Sequence, residues 1–300
     1  MAVEKDEVTI VLPTLNEEKA VRKVISELKK AGYNNILIVD GYSTDKTVKI
    51  AESNGARVVL QHSKGKSGAL ETAVENVDTP FMLVMDCDCT YDPKDIDKLL
   101  THAKIYDQVI GARINGRENI PRFNRLGNWL ITTAFNTVMG TKLSDVLSGM
   151  YLIKTDAARM VEFNTKGFDV EVEMAAHIAA NGRITEVPIT YRKRVGRQKL
   201  HSLRHGWQIT RTLFTLARQY NPVLLFSSLI ALAAVPAFFM LAWAMLEAVL
   251  FGVWNSGRAL IGLILFVFAF QGFTIATVAL MLRNLEKRLM RQAKSNSNHV

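Results

Sequence analysis

Two long apolar stretches near the C-terminus constrain this chain most. Between Val223 and Gly252 the only ionisable residue is Glu247, and Ala259 to Leu282 contains none. Each exceeds the roughly 20 residues needed to cross the hydrocarbon of a bilayer, and the short segment Val253 to Arg258 between them suits a helical hairpin. Two buried helices of a soluble core are the competing reading, which the length of the stretches disfavours. Pro236 is expected to kink the first span. The 49% hydrophobic content and mean hydropathy of +0.10 therefore average two unlike parts.

Charge supports this division. The second stretch is followed by the basic segment Arg283 to Lys294, whereas the hairpin loop carries only Arg258. By the positive-inside rule the segment after Leu282 and the large N-terminal part both face the cytoplasm. The protein carries +9 overall, and between Val187 and Asn221 there are eight basic residues and no acidic one. Directly ahead of a membrane anchor, such a run suits anionic headgroups or a lipid phosphate better than nucleic acid, and no nucleic-acid partner is expected. From His201 to Tyr220, Leu203, Trp207, Leu213 and Phe214 recur at helical spacing with arginines elsewhere, the pattern of a helix lying in the membrane interface. No cleavable signal peptide is expected, because Met1 to Glu7 is charged and the next apolar run stops at Pro13. Cys87 and Cys89 form a lone Cys-x-Cys pair, read as reduced cytoplasmic residues.

Upstream, short apolar runs alternate with helical patterns: strands at Val8–Pro13, Asn35–Asp40, Ala56–Leu60 and Phe81–Met85, with helices at Glu17–Ala31, Lys46–Ser53 and Ser67–Val77. This alternation predicts an α/β domain with a parallel sheet and ligands at its carboxyl edge. Beyond it, strands are expected at Gln108–Gly111, Met150–Ile153 and Ile184–Tyr191, the last an edge strand because it contains Pro188. Helices are expected at Leu126–Met139 and Asp169–Asn181.

The run Phe81 to Met85 ends in Asp86-Cys87-Asp88. Two carboxylates one residue apart at a strand end repel unless a cation lies between them, and Mg2+ or Mn2+ clamped on a diphosphate is the natural third party. Lys66 and Gly68 precede a helix whose N-terminus suits an anion, although the phosphate loop of nucleotide hydrolases is absent. Asp40 ends a buried strand and can accept from a nucleobase N–H. Asp45 reads as a helix cap, and Glu18 as either a helix-terminal acid or a nucleotide contact.

Taken in order, Pro13-Thr14-Leu15-Asn16-Glu17-Glu18, Val39-Asp40-Gly41-Tyr42-Ser43-Thr44-Asp45, Lys64-Gly65-Lys66-Ser67-Gly68, Asp86-Cys87-Asp88 and Ser148-Gly149-Met150 resemble glycosyltransferase family 2. With the basic run and paired spans, the chain is similar to the dolichyl-phosphate hexosyltransferase branch of that family, to which dolichyl-phosphate mannose synthase belongs. The resemblance implies a GT-A (Rossmann-like) catalytic domain over 1–200, an amphipathic interface helix over 201–221, two transmembrane helices over 222–283 and a basic cytoplasmic tail over 284–300. It implies nucleotide binding by Pro13, Leu15, Asn16, Glu17, Asp40, Lys66 and Asp86, with metal at Asp86 and Asp88. Gly111-Ala112-Arg113 resembles the family's Gly-Ser-Arg, and Arg125 and Asn128 align near the acceptor phosphate. Arg194-Val195-Gly196-Arg197-Gln198-Lys199-Leu200 resembles the family's R-x-x-G-x-S-K-L, which gives Arg194 and Lys199 to the acceptor or diphosphate. Thr90 stands where the family commonly has a third acidic or amide position.

Asp88, Asp145 and Arg125 are the candidate catalytic residues, with Asp145 either beside the anomeric carbon or ordering its loop. Glu171 and Glu173 read as helix surface charges, Glu173 slightly favoured by family similarity. Arg192 and Lys193 read as headgroup contacts. The expected reaction is inverting transfer of one hexose from a GDP- or UDP-sugar to dolichyl or polyprenyl phosphate, at the cytoplasmic face of a cell or endoplasmic reticulum membrane. A lipid phosphate is already anionic near neutral pH, so no strong general base is required. A processive polysaccharide synthase is disfavoured because more membrane spans and a Gln-x-x-Arg-Trp motif would be needed. A non-catalytic, membrane-tethered nucleotide-sugar binder would not need the aspartates and arginines that are present.

Overall fold

The computed structural model describes residues 3–161, 170–196, 214, 215, 218 and 222–297, in two compact units divided at Leu213 and Phe214. Lys199 and nearly all of the predicted interface helix at 201–220 lie outside the described residues.

The first unit is built on a seven-stranded sheet: β1 (Val8–Thr14), β2 (Ile36–Asp40), β3 (Arg57–Leu60), β4 (Phe81–Val84), β5 (Gln108–Asn115), β6 (Tyr151–Lys154) and β7 (Ile184–Thr190), in the spatial order β3-β2-β1-β4-β6-β5-β7. Its helices are α1 (Val21–Lys30), α2 (Thr47–Ser53), α3 (Gly65–Asn76), α4 (Ile96–Leu100), α5 (Arg122–Met139), α6 (Thr155–Arg159) and α7 (Val170–Asn181). β2 and β4 are buried throughout, and β1 at every position but Pro13, which accounts for their nearly continuous apolar sequences. Ile10, Leu12, Ile38 and Leu83 from these strands pack with Val24, Ile25 and Leu28 of α1 in the main core.

The sheet is mixed, which corrects the expectation of a parallel one. β1, β2, β3 and β4 are parallel, and β7 is parallel to β5, but β6 runs antiparallel to both β4 and β5. Val84 and Ile110 both lie opposite Tyr151, so the connection through α5 begins and ends at one sheet edge and β6 must return in the opposite sense. This reversal sets Ser148 and Gly149, just ahead of β6, beside the end of β4. The carboxyl ends of β1, β2, β4, β5 and β7 meet there too. β7 is an edge strand, as Pro188 indicated. α5 begins four residues earlier than the sequence pattern suggested, directly after Pro121, whose ring fixes φ for helix entry.

The second unit is a hairpin of α8 (Pro222–Phe251) and α9 (Ser256–Ser297). Phe226–Phe251 and Ser256–Leu282 are long and apolar enough to cross a membrane. Their small residues pack inward: Ala237, Ala244, Ala269 and Ala276 are buried, and Gly262 and Gly272 lie against Leu241 and Ile230. Large apolar side chains such as Phe238, Phe239, Phe268 and Phe270 point outward, the reverse of a water-soluble helix pair. Pro236 lies inside α8 without dividing it, and the basic segment after Leu282 continues α9 to Ser297. Near the turn, Glu247 accepts from Trp243 Nε1 (2.9 Å) and pairs with Arg258.

Candidate active site

At the carboxyl edge of the sheet lies a cleft of about 820 Å³. Pro13, Leu15, Glu17, Lys66, Asp86, Asp88, Arg113, Asn128 and Arg194, all singled out in the sequence, line it. So do Tyr42, Gln61, Glu171 and Tyr191, and an apolar wall of Ile120, Pro121, Phe123 and Ile131.

Each of the two aspartates shares a cation with a second acid. Lys66 Nζ lies 2.7 Å from Asp86 Oδ1 and also contacts Glu171 Oε1. Arg194 Nη1 donates to Asp88 Oδ2 (2.9 Å) and its Nη2 to Glu17 Oε1 (2.7 Å). The backbone explains both arrangements. Gly68 lets the start of α3 approach Ser63 so closely that a Cβ would lie 2.1 Å from the Ser63 carbonyl oxygen. After β7 the chain turns back along the Asp88 loop, where Arg192 N–H donates to Thr90 O (2.6 Å) and Val195 N–H to Asp88 O (3.0 Å), delivering Arg194. Thr90 fixes the Asp88 carboxylate through its N–H (3.0 Å) and its hydroxyl. Gly149 packs against Asp86, since a Cβ there would lie 2.3 Å from Asp86 Oδ2.

Burial, reinforced by the neighbouring charge of Asp86, pushes the Asp88 carboxyl above its usual range despite help from Thr90 and Arg194. Burial also raises Glu171, opposed by Lys66. Lys66 shows the converse: burial would lower it, but the charges of Asp86 and Glu171 hold its ammonium well above the usual range.

Arg113 is gripped by Asp145, whose Oδ2 and Oδ1 accept from Nε (2.6 Å) and Nη2 (2.7 Å). In the amide orientation that satisfies its neighbours, Asn128 accepts from Arg113 Nη2 (3.1 Å) and donates to Asn124 O (3.0 Å). The Arg113 guanidinium also lies over the Tyr191 ring, 5.4 Å from its centroid.

Four sequence candidates sit off the cleft lining. Asp40 is 1% exposed and accepts from Ser43 N–H (2.8 Å) and Ser43 Oγ (2.5 Å), though the adjacent Gly41 lines the cleft. Asn16 joins two loops, its N–H donating to Ser43 Oγ (2.8 Å) and its side chain accepting from Thr44 N–H (2.8 Å). Asp145 and Arg125 line a small adjoining pit with Arg117 and Ser144, which shares Arg113 and Asn128 with the cleft. Among the described residues, the Arg125 guanidinium has no hydrogen-bond partner.

Two readings change. Glu171 is not a surface charge but 5% exposed and cleft-lining. Arg192 is held by Glu27 (2.8 Å) and Asp92 rather than presented to headgroups. Asp45 accepts from Thr47 N–H (2.9 Å) at the start of α2, as a cap would. No sequence signal marked Tyr191 or Gln61. Both thiols are buried and free, and burial pushes Cys87 well above the usual thiol range.

The mixed sheet with a carboxylate pair lining an edge cleft is the GT-A arrangement of glycosyltransferases. The chain belongs to glycosyltransferase family 2: residues 9–161 match the family described as "Glycosyl transferase family 2". It is 36% identical to glycosyltransferase AglJ of Haloferax volcanii, over 74% of this chain and 76% of that one. It is 34% identical to a dolichyl-phosphate hexose transferase of the same organism, over 69% of this chain and 92% of that one. In fold it resembles glucosyl-3-phosphoglycerate synthase from Mycobacterium tuberculosis, crystallised with Mn2+, UDP-glucose and phosphoglyceric acid, with a TM-score of 0.58 and 22% identity over 70% of this chain and 79% of that one.

Proposed function

We propose that this glycosyltransferase transfers one hexose, with inversion, from a nucleotide diphosphate sugar to a dolichyl or polyprenyl phosphate at the cytoplasmic face of a membrane. The observation that carries this reading is a single cleft with two chemically unlike sides: a charged floor of Lys66, Asp86, Asp88 and Arg194, and an apolar wall of Ile120, Pro121, Phe123 and Ile131. A sugar diphosphate suits the first side and the start of an isoprenoid chain the second. The outer face of α5, next to that wall, exposes Leu126, Trp129 and Leu130, and the same chain carries two helices suited to a bilayer. One relative named a dolichyl-phosphate hexose transferase points to the same acceptor. The basic stretches at 187–221 and 283–294 support the cytoplasmic orientation.

Asp86 and Asp88 fit a hard divalent ion. They supply oxygen donors only, and the Asp88 carboxyl, raised first by burial and then by the neighbouring charge of Asp86, is one whose anionic form a bound cation would stabilise. No cluster of three or more His, Cys, Asp or Glu suited to a metal occurs among the described residues, so the diphosphate and water would complete the shell. A bound Mg2+ or Mn2+ would stabilise the charge of the departing nucleotide.

The chain's own groups do the rest. Arg194 keeps a buried Nε without a partner and so retains a donor for a phosphate oxygen. Pro13, Leu15 and Tyr42 give the nucleoside an apolar bed at the other end. Arg113, Asn128 and Arg125 align the acceptor phosphate, which is its own nucleophile, and Asp145 acts by fixing Arg113. Lys199 joins this set by its motif position.

Release of nucleoside diphosphate from UDP- and GDP-hexoses, measured with and without a short polyprenyl phosphate, tests this reading. Acceptor-dependent release from at least one donor is expected. Release that ignores the lipid phosphate would reject the acceptor.

A further inference from the structure

Lys66 holds a position that a metal-binding carboxylate pair does not explain. Its ammonium sits on Asp86 Oδ1, while the other oxygen of Asp86 occupies the space a Gly149 Cβ would take, 2.3 Å from that position. A cation that engages Asp86 therefore competes with the lysine for the charge of that carboxylate. Glu171 holds the far side of the same ammonium, and its side chain is only 6% exposed. Nothing in the sugar or acceptor chemistry requires an acid there.

We propose that Lys66 is a built-in competitor for the divalent cation at Asp86, and that Glu171 is the positioning residue that sets the strength of that competition. When a divalent cation takes Asp86, the ammonium keeps its charge-assisted contact with Glu171 and stays in the cleft, facing the incoming diphosphate. An ammonium leaving Asp86 with no second acid would be stranded in a poorly hydrated place, and charge-assisted hydrogen bonds are the costly ones to lose. Glu171 removes that cost, so cation entry is easier with it than without it. This rests on the reading of Asp86 and Asp88 as the metal site.

The test is a Mn2+ titration of the full-length protein in detergent, with unbound Mn2+ read by electron paramagnetic resonance and the fold of each variant checked by circular dichroism. Lys66→Met should tighten Mn2+ binding and Glu171→Gln should weaken it, each by about tenfold, the factor that 1.4 kcal/mol represents. The double variant should behave as Lys66→Met alone, because Glu171 acts only through the lysine. Glu171→Asp, which keeps the charge but withdraws it from the ammonium, should weaken Mn2+ as Gln does. Where Lys66→Met does not fold, Lys66→Gln takes its place.

Additive effects that return the double variant to the wild-type affinity would overturn the proposal, since both groups would then act as distant charges. So would a Glu171→Asp variant that binds like wild type. Wild-type protein that takes up no Mn2+ would overturn both this proposal and the metal site beneath it.

Discussion

Arg113 and Asp145 are joined at three points: Asp145 Oδ2 accepts from the Arg113 backbone N–H (3.1 Å) and from Nε (2.6 Å), and Oδ1 accepts from Nη2 (2.7 Å). Both side chains are only 10% exposed. With both oxygens committed, Asp145 is placed to hold a cation at the cleft wall rather than to take a proton.

Breaking this pair from one side leaves a buried, uncompensated charge, so Asp145→Asn should destabilise the first unit by about 3 kcal/mol. The Arg113→Gln/Asp145→Asn double variant should recover part of that loss, because both charges leave together. Urea unfolding of Asp145→Asn and the double variant measures the recovery, and a double variant no more stable than Asp145→Asn would refute it.

Gly149→Ala places a methyl group 2.3 Å from Asp86 Oδ2, against a carboxylate pinned on its other side by Lys66. Asp86 must move. Nucleotide binding should fall at least tenfold while the circular dichroism spectrum is retained, and isothermal titration with UDP or GDP in the presence of Mn2+ reads the change. Unchanged affinity would mean that Asp86 is not a donor-side group.

Much of the site was legible because it is built from short-range patterns. An apolar run that ends in Asp86-Cys87-Asp88 reads as a buried strand delivering two acids to an edge, and the basic run marked Arg194. The partners of these residues were not legible. Glu171 lies 105 residues from Lys66 and reads as one more acid on a helix. Its burial follows from how α7 packs, which helical periodicity does not encode. Asp40 was found at its strand end, but the turn that lets Ser43 claim its carboxylate depends on Tyr42 adopting φ +65°, invisible to a residue pattern. The reversal of β6 was missed for the same kind of reason: alternation of strand and helix predicts a parallel sheet unless the connecting helix stays at one edge.

Acid should loosen the first unit at Asp107, which accepts from Lys154 Nζ (2.9 Å) and Arg183 N–H (2.8 Å). Burial would raise its pKa, but these contacts outweigh it and leave the carboxyl below its usual range. A folded-state pKa below the unfolded one gives stability that is complete above about pH 4 and fades as pH falls through the depressed value. Between about pH 6 and pH 3, Asp107→Asn should therefore lose less in melting temperature than the wild type does. Parallel melting curves would show that the pair contributes nothing.

Leu126 and Trp129 are 54% and 55% exposed on α5. Changing both to Ser should shift stability by no more than about 0.5 kcal/mol each, as for other surface positions. If this face meets lipid, the acceptor KM measured in vesicles should rise severalfold while that for a short, water-soluble isoprenoid phosphate stays constant. Equal effects on both acceptors would place the face outside lipid contact.

The most direct measurement is the mass of the lipid product formed when the full-length protein in vesicles is given polyprenyl phosphate, Mn2+ and a panel of UDP- and GDP-hexoses. The predicted result is one new lipid, heavier than the acceptor by a single hexose residue, absent with Asp86→Ala or Asp88→Ala. A ladder of several sugars on one lipid, free hexose with no lipid product, or an unchanged yield from either aspartate variant would contradict it.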